Sequence, residues 1–308
     1  MRTQPRIVVV GSFMMDLMSR TPRLPVPGET VMGGPFQMGP GGKGSNQAVA
    51  AARLGADVSM VVSLGRDYFG DVAYNNLVQE GVDVGCVKRV DNVSTGAALI
   101  MVDEKKGENM IVVAPGSNNE LGPEDVDRAK GLILGSHCML VQLEIPLSTV
   151  EYAIGLAHDN NVGVILNPAP GRPLPDELFQ KVDVLTPNES EASAITGQPV
   201  VDVNTAGRAA RELLARGCRN VVITLGAAGA LAANGDGVHL VSGFNVKTVD
   251  TTGAGDAFNG ALAVALAEGQ SLLDAVRFAN AAGALCVTKV GTAPAMPSRR
   301  EVQELLAR

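Results

Sequence analysis

Six short apolar runs recur along the chain: RIVVVGS at 6–12, VSMVVSLG at 58–65, CMLVQLE at 138–144, VGVILNPAP at 162–170, VDVLTPNE at 182–189 and NVVITLGAAG at 220–229. They are continuous and rich in β-branched residues, as strands are when both of their faces are buried. Most alternate with stretches of helical period at 70–80, 123–134, 148–160 and 204–216. Strands of this kind separated by helices predict a doubly wound α/β core around a mostly parallel sheet, in one domain spanning 1–308.

Two segments break the rhythm. Residues 14–38 hold TPRLPVPGETVMGG, dense in proline and glycine, and 96–113 reads as a hairpin, GAALIMV and MIVV around the polar turn DEKKGEN. Together they predict a small β-sheet lid beside the core. Leu99–Val102 and Met110–Val113 are apolar at successive positions, so both faces of that sheet need cover. One face is expected to close over a ligand and the other to meet a second subunit, giving a homodimer; the competing reading is that these are ordinary interior strands.

Composition narrows the partners. Of 308 residues 46% are hydrophobic and 19% charged, with net charge −7 and pI near 5.1. Without a basic run to follow a phosphate backbone, nucleic acid is not an expected partner. The N-terminal apolar run ends after four residues at Gly11, too short for a signal peptide, and no stretch could span a bilayer, so no membrane is expected and the location is read as cytoplasmic. Cys86, Cys138, Cys218 and Cys286 lie far apart, which favours buried thiols over disulfides or a zinc site.

In open α/β sheets, ligands bind beyond the carboxyl ends of the strands. The ends here carry Gly11, Ser12 and Asp16, then Glu144, Asn167, Asn188–Glu191, and Thr224, Gly226 and Gly229. DTTGAGDAFNG at 250–260 adds Asp250, Gly253, Gly255 and Asp256 at the start of an alanine-rich helix, where bare N–H groups attract an anion. Hydroxyl acceptors on one side and backbone donors on the other suit a polyol and a phosphate chain. Plainer readings stand beside these: NESE has the form of a capping box, and Asp256 has the place of an ordinary first-turn acid. MGPGGKGSNQ is not a P-loop, because Gly44 follows Lys43 and Gln37 replaces the first glycine; GAGDAF has Phe258 where a dinucleotide fingerprint needs glycine.

GGKGSNQAVAAARLGA and DTTGAGDAFNGAL resemble the two signatures of the ribokinase family of sugar kinases, with TPNESE, ITLGAAG and VGTAPAMP in matching order, over essentially the whole chain. VVVGSFMMDL, GGKGSNQA, QLEIP and NPAP are most similar to the members of that family that phosphorylate ribose. The resemblance implies a ribokinase-like fold and transfer of phosphate from ATP to the primary 5-hydroxyl of D-ribose. It implies Asp256 as catalytic base and Gly253, Ala254 and Gly255 as a backbone anion hole. Asp16, Gly42, Lys43, Asn46 and Glu144 match sugar-holding positions. Asn188, Thr224, Leu225, Gly226, Ala227, Gly229 and Asn280 match nucleotide contacts. Glu191 matches an element associated with magnesium, and Asp250, Thr252, Cys286, Lys289, Gly291 and Ala295 match an activating potassium site. This chain departs from the family at Met14, where some members carry a sugar-binding asparagine, at Ala295, often a serine, and at Ala228.

Other classes are carried beside this one. A kinase for another sugar or a nucleoside would keep the same motifs, although Phe 7, Tyr 3 and Trp 0 leave few stacking faces for a base. A non-catalytic sugar-binding regulatory protein would be expected to lose Asp256 or the glycines before it. A dehydrogenase would need the missing fingerprint.

Overall fold

The computed structural model describes residues 4–106 and 108–308. Residues 1–3, at the head of the expected domain, and Gly107, in the turn expected within 96–113, lie outside the described residues.

Thirteen strands are described: β1 Arg6–Val10, β2 Met14–Thr21, β3 Phe36–Gly41, β4 Asp57–Gly65, β5 Val87–Val90, β6 Ala97–Asp103, β7 Asn109–Ala114, β8 Cys138–Val141, β9 Gly163–Leu166, β10 Val184–Leu185, β11 Asn220–Thr224, β12 Gly229–Asn234 and β13 Gly237–Ser242. Nine form the main sheet in the order β13-β12-β11-β10-β9-β8-β1-β4-β5. It is parallel from β5 to β11, and β12 and β13 return antiparallel at one edge.

Helices cover both faces. On one lie α1 Lys43–Arg53, α2 Tyr68–Gln79, α9 Ala254–Ala267, α10 Leu272–Cys286 and α11 Arg299–Leu306; on the other lie α3 Pro123–Arg128, α4 Lys130–Gly135, α5 Leu147–Asp159, α6 Asp176–Phe179, α7 Glu189–Thr196 and α8 Val203–Ala215. The strands read as continuous apolar runs because successive side chains feed opposite cores: Val8 and Val10 pack with α3–α8, Ile7 and Val9 with the α1 and α9 layer. The single helix expected over 123–134 is two short helices broken at Ala129, two positions before Gly131, where the backbone has turned to ψ 1°.

A second, four-stranded sheet runs β3-β2-β6-β7, drawn from the two segments that broke the α/β rhythm. Its strands extend slightly past the expected bounds, to Gly41 and Ala114. The reading of 96–113 as interior strands does not hold: in the chain by itself Met110, Ile111, Val112 and Val113 are exposed by 49 to 62%, and Leu99 by 51%.

Candidate active site

Strand order reverses at β1, which lies between β8 and β4, so the crevice of the parallel sheet opens beyond the carboxyl ends of β1 and β8. Ser12 follows β1 and Glu144 follows β8, and the Ser12 hydroxyl donates to Glu144 Oε2 at 2.5 Å. The N-terminus of α1 enters the same crevice. Gly42 caps it, and the Lys43 N–H donates to Glu144 Oε2 at 2.9 Å.

From the other side comes α9. Its cap, Gly253, has φ +79°, the left-handed region that side chains resist, and a Cβ there would lie 3.3 Å from Thr292 Cα. That turn aims the N–H groups of the first turn at the cleft, with the helix dipole behind them. Open space around Gly255 leaves room for a ligand to approach the backbone. Asp256, the third residue of α9, is 7% exposed. Its Oδ2 accepts from Asn46 Nδ2 at 2.9 Å and its Oδ1 from Gln47 Nε2 at 3.1 Å. Both partners lie on α1, so among the described residues this acid is not serving its own helix's N–H groups as a first-turn cap would.

A cleft of about 170 Å³ joins these parts, lined by Lys43, Asn188, Glu191, Thr224, Gly253, Gly255 and Asp256 together with Asn167, Ala169, Thr186 and Asn259. Burial penalises the Lys43 ammonium, but Asp256, Glu144 and Glu191 outweigh that and hold its pKa above the usual lysine value. Burial pushes the Glu191 carboxyl up, partly offset by the Asn188 N–H and Lys43. Asp16, on β2, is raised to about 6, mainly by burial and further by Glu144 and Asp256, against a lowering hydrogen bond from the Thr292 hydroxyl at 3.3 Å. Three acids therefore converge on one lysine in a site with a strong positive end.

The nucleotide candidates divide. Asn188 and Glu191 form the capping box that their spacing predicts, each side chain bonding the other's N–H at 2.8 and 2.9 Å, yet both also face the cleft. Thr224 faces it too, bridged in parallel to Asn188. Leu225, Gly226, Ala227 and Gly229 form the tight turn beyond β11, closed by Leu225 N–H to Gly229 O at 2.8 Å. Asn280 on α10 spends its Nδ2 on Val241 O at 2.9 Å, beside β13 and outside the cleft lining.

The expected cation residues are partly gathered. Asp250 Oδ1 accepts from the Thr252 N–H and hydroxyl at 2.9 and 2.7 Å, and Oδ2 from the Gly291 N–H at 3.0 Å. Burial works against this carboxylate, but those donors prevail and hold its pKa below the usual value. The Cys286 thiol, pushed up to about 12 by burial and the nearby Asp256 and Asp250, donates to Thr252 O at 3.8 Å. Lys289 instead turns its ammonium to Glu301 at 2.8 Å, and the buried Ala295 contributes no side-chain oxygen. Among the described residues no group of three or more His, Cys, Asp or Glu could hold a metal ion, so a cation here would depend on backbone carbonyls.

Reading the residues one by one did not find Gln47, Thr186 or Asn259, whose signal is their place one residue from Asn46, at a strand end and one turn after Gly255. Met14 is buried on β2 opposite Gly41.

The model for the pfkB family carbohydrate kinases matches residues 4–299. The chain is 43% identical over 300 residues to a ribokinase of Haemophilus influenzae, covering 97% of this chain and 98% of that protein. It is 38% identical over 302 residues to a deoxyribokinase of Salmonella typhi, covering 98% of both. The solved Arabidopsis thaliana ribokinase complexed with ribose and ATP superposes with a TM-score of 0.91 at 34% identity, covering 99% of this chain and 100% of that one.

Proposed function

The chain belongs to the pfkB family of carbohydrate kinases, and from that premise we propose that it transfers the γ-phosphoryl group of ATP to the primary 5-hydroxyl of D-ribose, giving ribose 5-phosphate and ADP. The observation that carries the reading is the placement of the Asp256 carboxylate one residue beyond the Gly253–Gly255 turn, in a cleft shared with Lys43.

Phosphoryl transfer needs an aligned hydroxyl, neutralised phosphate charge and little covalent help. Asp256 accepts the proton of the attacking hydroxyl. The N–H groups of 253–255 hold charge developing on the transferred phosphoryl, and Lys43, which lines the same cleft, adds its positive charge there. Asp16 and Glu144 accept sugar hydroxyls, since a carboxylate can take two at once. Asn46 has a buried Oδ1 without a partner and can take another. The turn 225–229 with Asn188 and Thr224 borders the nucleotide, and Asn280 supports it from behind through β13. Glu191, with a raised pKa in the cleft, would help hold Mg²⁺, which when bound neutralises the phosphate oxygens. Potassium would be held by Asp250 and backbone oxygens around Thr252, Cys286, Lys289, Gly291 and Ala295; the gathered Asp250, Thr252, Cys286 and Gly291 support that reading, while Lys289 and Ala295 add no side-chain ligand. The second sheet serves as a lid, and its exposed β7 face is where a homodimer would form; light scattering that finds monomers at working concentration rejects the dimer.

A second acceptor, 2-deoxyribose, is favoured by one observation. Met14 puts a buried thioether where some family members use an asparagine on the sugar, so one hydroxyl loses its partner. A coupled ADP-release assay over ribose, 2-deoxyribose, fructose, adenosine and phosphosugars, with and without potassium, decides between them. Met14→Asn is expected to shift preference towards ribose by roughly 10-fold, about one hydrogen bond to an otherwise unpaired hydroxyl. An unchanged ratio shows that Met14 does not read that hydroxyl. No turnover with any sugar rejects the kinase reading itself.

Asp16 also sets a pH dependence. It must be ionised to accept two hydroxyls, and its pKa of about 6 in the free protein lies well above the ordinary 3.8, with Glu144, Asp256 and Thr292 around it. The KM for sugar is therefore expected to rise as pH falls through 6 and to level off above 7, while the KM for ATP stays flat in that range. A sugar KM independent of pH down to about 5 contradicts the role given to Asp16.

A further inference from the structure

Three neighbouring strands, β8, β9 and β10, each end in a buried polar side chain: Gln142, Asn167 and Thr186, exposed by 0, 6 and 2%. Polar groups in a core are costly unless fully bonded, so a row of them needs a use. Each one reaches a helix of the catalytic layer. Gln142 Nε2 donates to Gln47 Oε1 at 2.6 Å, and Gln47 Nε2 donates both to Asn167 Oδ1 and to Asp256 Oδ1 at 3.1 Å. Asn167 Nδ2 goes to Thr186 O at 3.1 Å. The Thr186 hydroxyl donates to Asn259 Oδ1 at 2.6 Å, and Asn259 Nδ2 closes on Gly255 O at 2.8 Å.

The three bonds of Gln47 take their direction from one charge, and the two asparagine amides take theirs from backbone carbonyls that can only accept. An ionised carboxylate only accepts, so Gln47 must turn its NH₂ to Asp256 and its oxygen to Gln142. Rotating the Gln47 amide would break all three of its bonds at once. Asn46 differs: its Nδ2 also bonds Asp256, but its buried Oδ1 has no partner and remains available to a ligand. Gln47 is fully used within the protein and fully buried. The distance between α1 and α9 is fixed at the same level. Gly260 lets the helices touch, since a Cβ there would fall 2.6 Å from Ala50 Cβ and 2.8 Å from Gln47 O.

We propose that Gln47 is a positioning residue for phosphoryl transfer: locked by the ends of β8 and β9, its amide holds one oxygen of Asp256 so that the carboxylate's remaining lone pairs face the incoming hydroxyl. The same ladder, through Thr186 and Asn259, steadies the Gly255 carbonyl at the end of the anion hole. This rests on Asp256 being the base, a reading that Asp256→Asn tests separately. Retained turnover in that variant removes the base, whatever Gln47 does.

The test uses the full chain with Gln47→Met, close in shape and without donors, and Gln47→Glu, equal in shape and with no obligatory donor. Both are assayed for kcat and for the KM of sugar and of ATP from about pH 5 to 9. For Gln47→Met the expected result is a kcat lower by roughly 10- to 100-fold with the KM for ATP within about 2-fold. The acidic limb of its kcat profile moves to higher pH, because the carboxylate has lost an N–H donor. For Gln47→Glu, activity falls as pH rises where the parent is flat, since two adjoining carboxylates resist ionising together. This variant carries the test if Gln47→Met fails to fold. Parental kcat and an unmoved acidic limb overturn the proposal. So does a loss shared equally by kcat, both KM values and Tm with no change in the pH profile, which marks Gln47 as packing alone.

Discussion

Asp256→Asn is expected to lower kcat by about 10²- to 10⁴-fold while leaving affinity for ATP within a few-fold, because it removes the proton acceptor without disturbing the backbone that receives the phosphate. The structure shows why the variant should fold. An asparagine at 256 keeps its oxygen towards Gln47, whose amide also donates to Asn167 and accepts from Gln142. Its NH₂ then faces Asn46, whose own oxygen has no partner and can swing round to accept. The new amide is thus satisfied at both ends and chemically inert as a base. Turnover within a few-fold of the parent, in a variant shown by isothermal titration to bind ATP, would falsify the role of Asp256.

The second large effect is expected at Lys43. Its ammonium lies among Asp256, Glu144 and Glu191, whose joint attraction overcomes the cost of burial. Lys43→Met leaves Asp256 and Glu191 in one small cleft with no counter-charge from α1, just where the phosphates of ATP would add more negative charge. Loss of one preorganised donor in a closed site typically costs about 10² to 10³ in rate, and kcat/KM is expected to fall by at least that much. The acids respond as well. Without the ammonium, Glu191 loses the charge that partly offsets its burial and holds its proton to higher pH, so the acidic limb of the rate profile moves upward. A screened surface lysine would instead show a small effect that disappears at high salt. Steady-state kinetics across pH and ionic strength separate the two, and a loss under about 3-fold contradicts the placement of Lys43 among these charges.

Much of the architecture was legible because it is written locally. Runs apolar on both faces marked the parallel strands, and the interruption at 14–38 and 96–113 marked the second sheet. The spacing of Asn188 and Glu191 predicted a capping box that the structure contains. The glycines before an alanine-rich helix marked bare N–H groups at its start, where the structure gives Gly253 a φ of +79°. Where local signals compete they decided less. A helix was expected unbroken over 123–134 and is broken at Ala129. Whether the apolar strands at 99–102 and 110–113 were interior or surface was open, since an apolar run reads alike in a core and at an interface.

By itself, then, the sequence determined the fold class, the strand-end location of the candidate site and the pairing of bare N–H groups with an acid one residue away, because periodicity and the placing of glycines act over a few residues. Only the tertiary structure decided what that acid touches. Asn46 and Gln47 meet Asp256 across more than 200 positions, and Gln142, Asn167 and Thr186 join them, because the sheet order places the ends of β8, β9 and β10 side by side. The ionisation of Asp16 and Lys43 was decided there too, since burial and the distances between charges belong to the packed molecule.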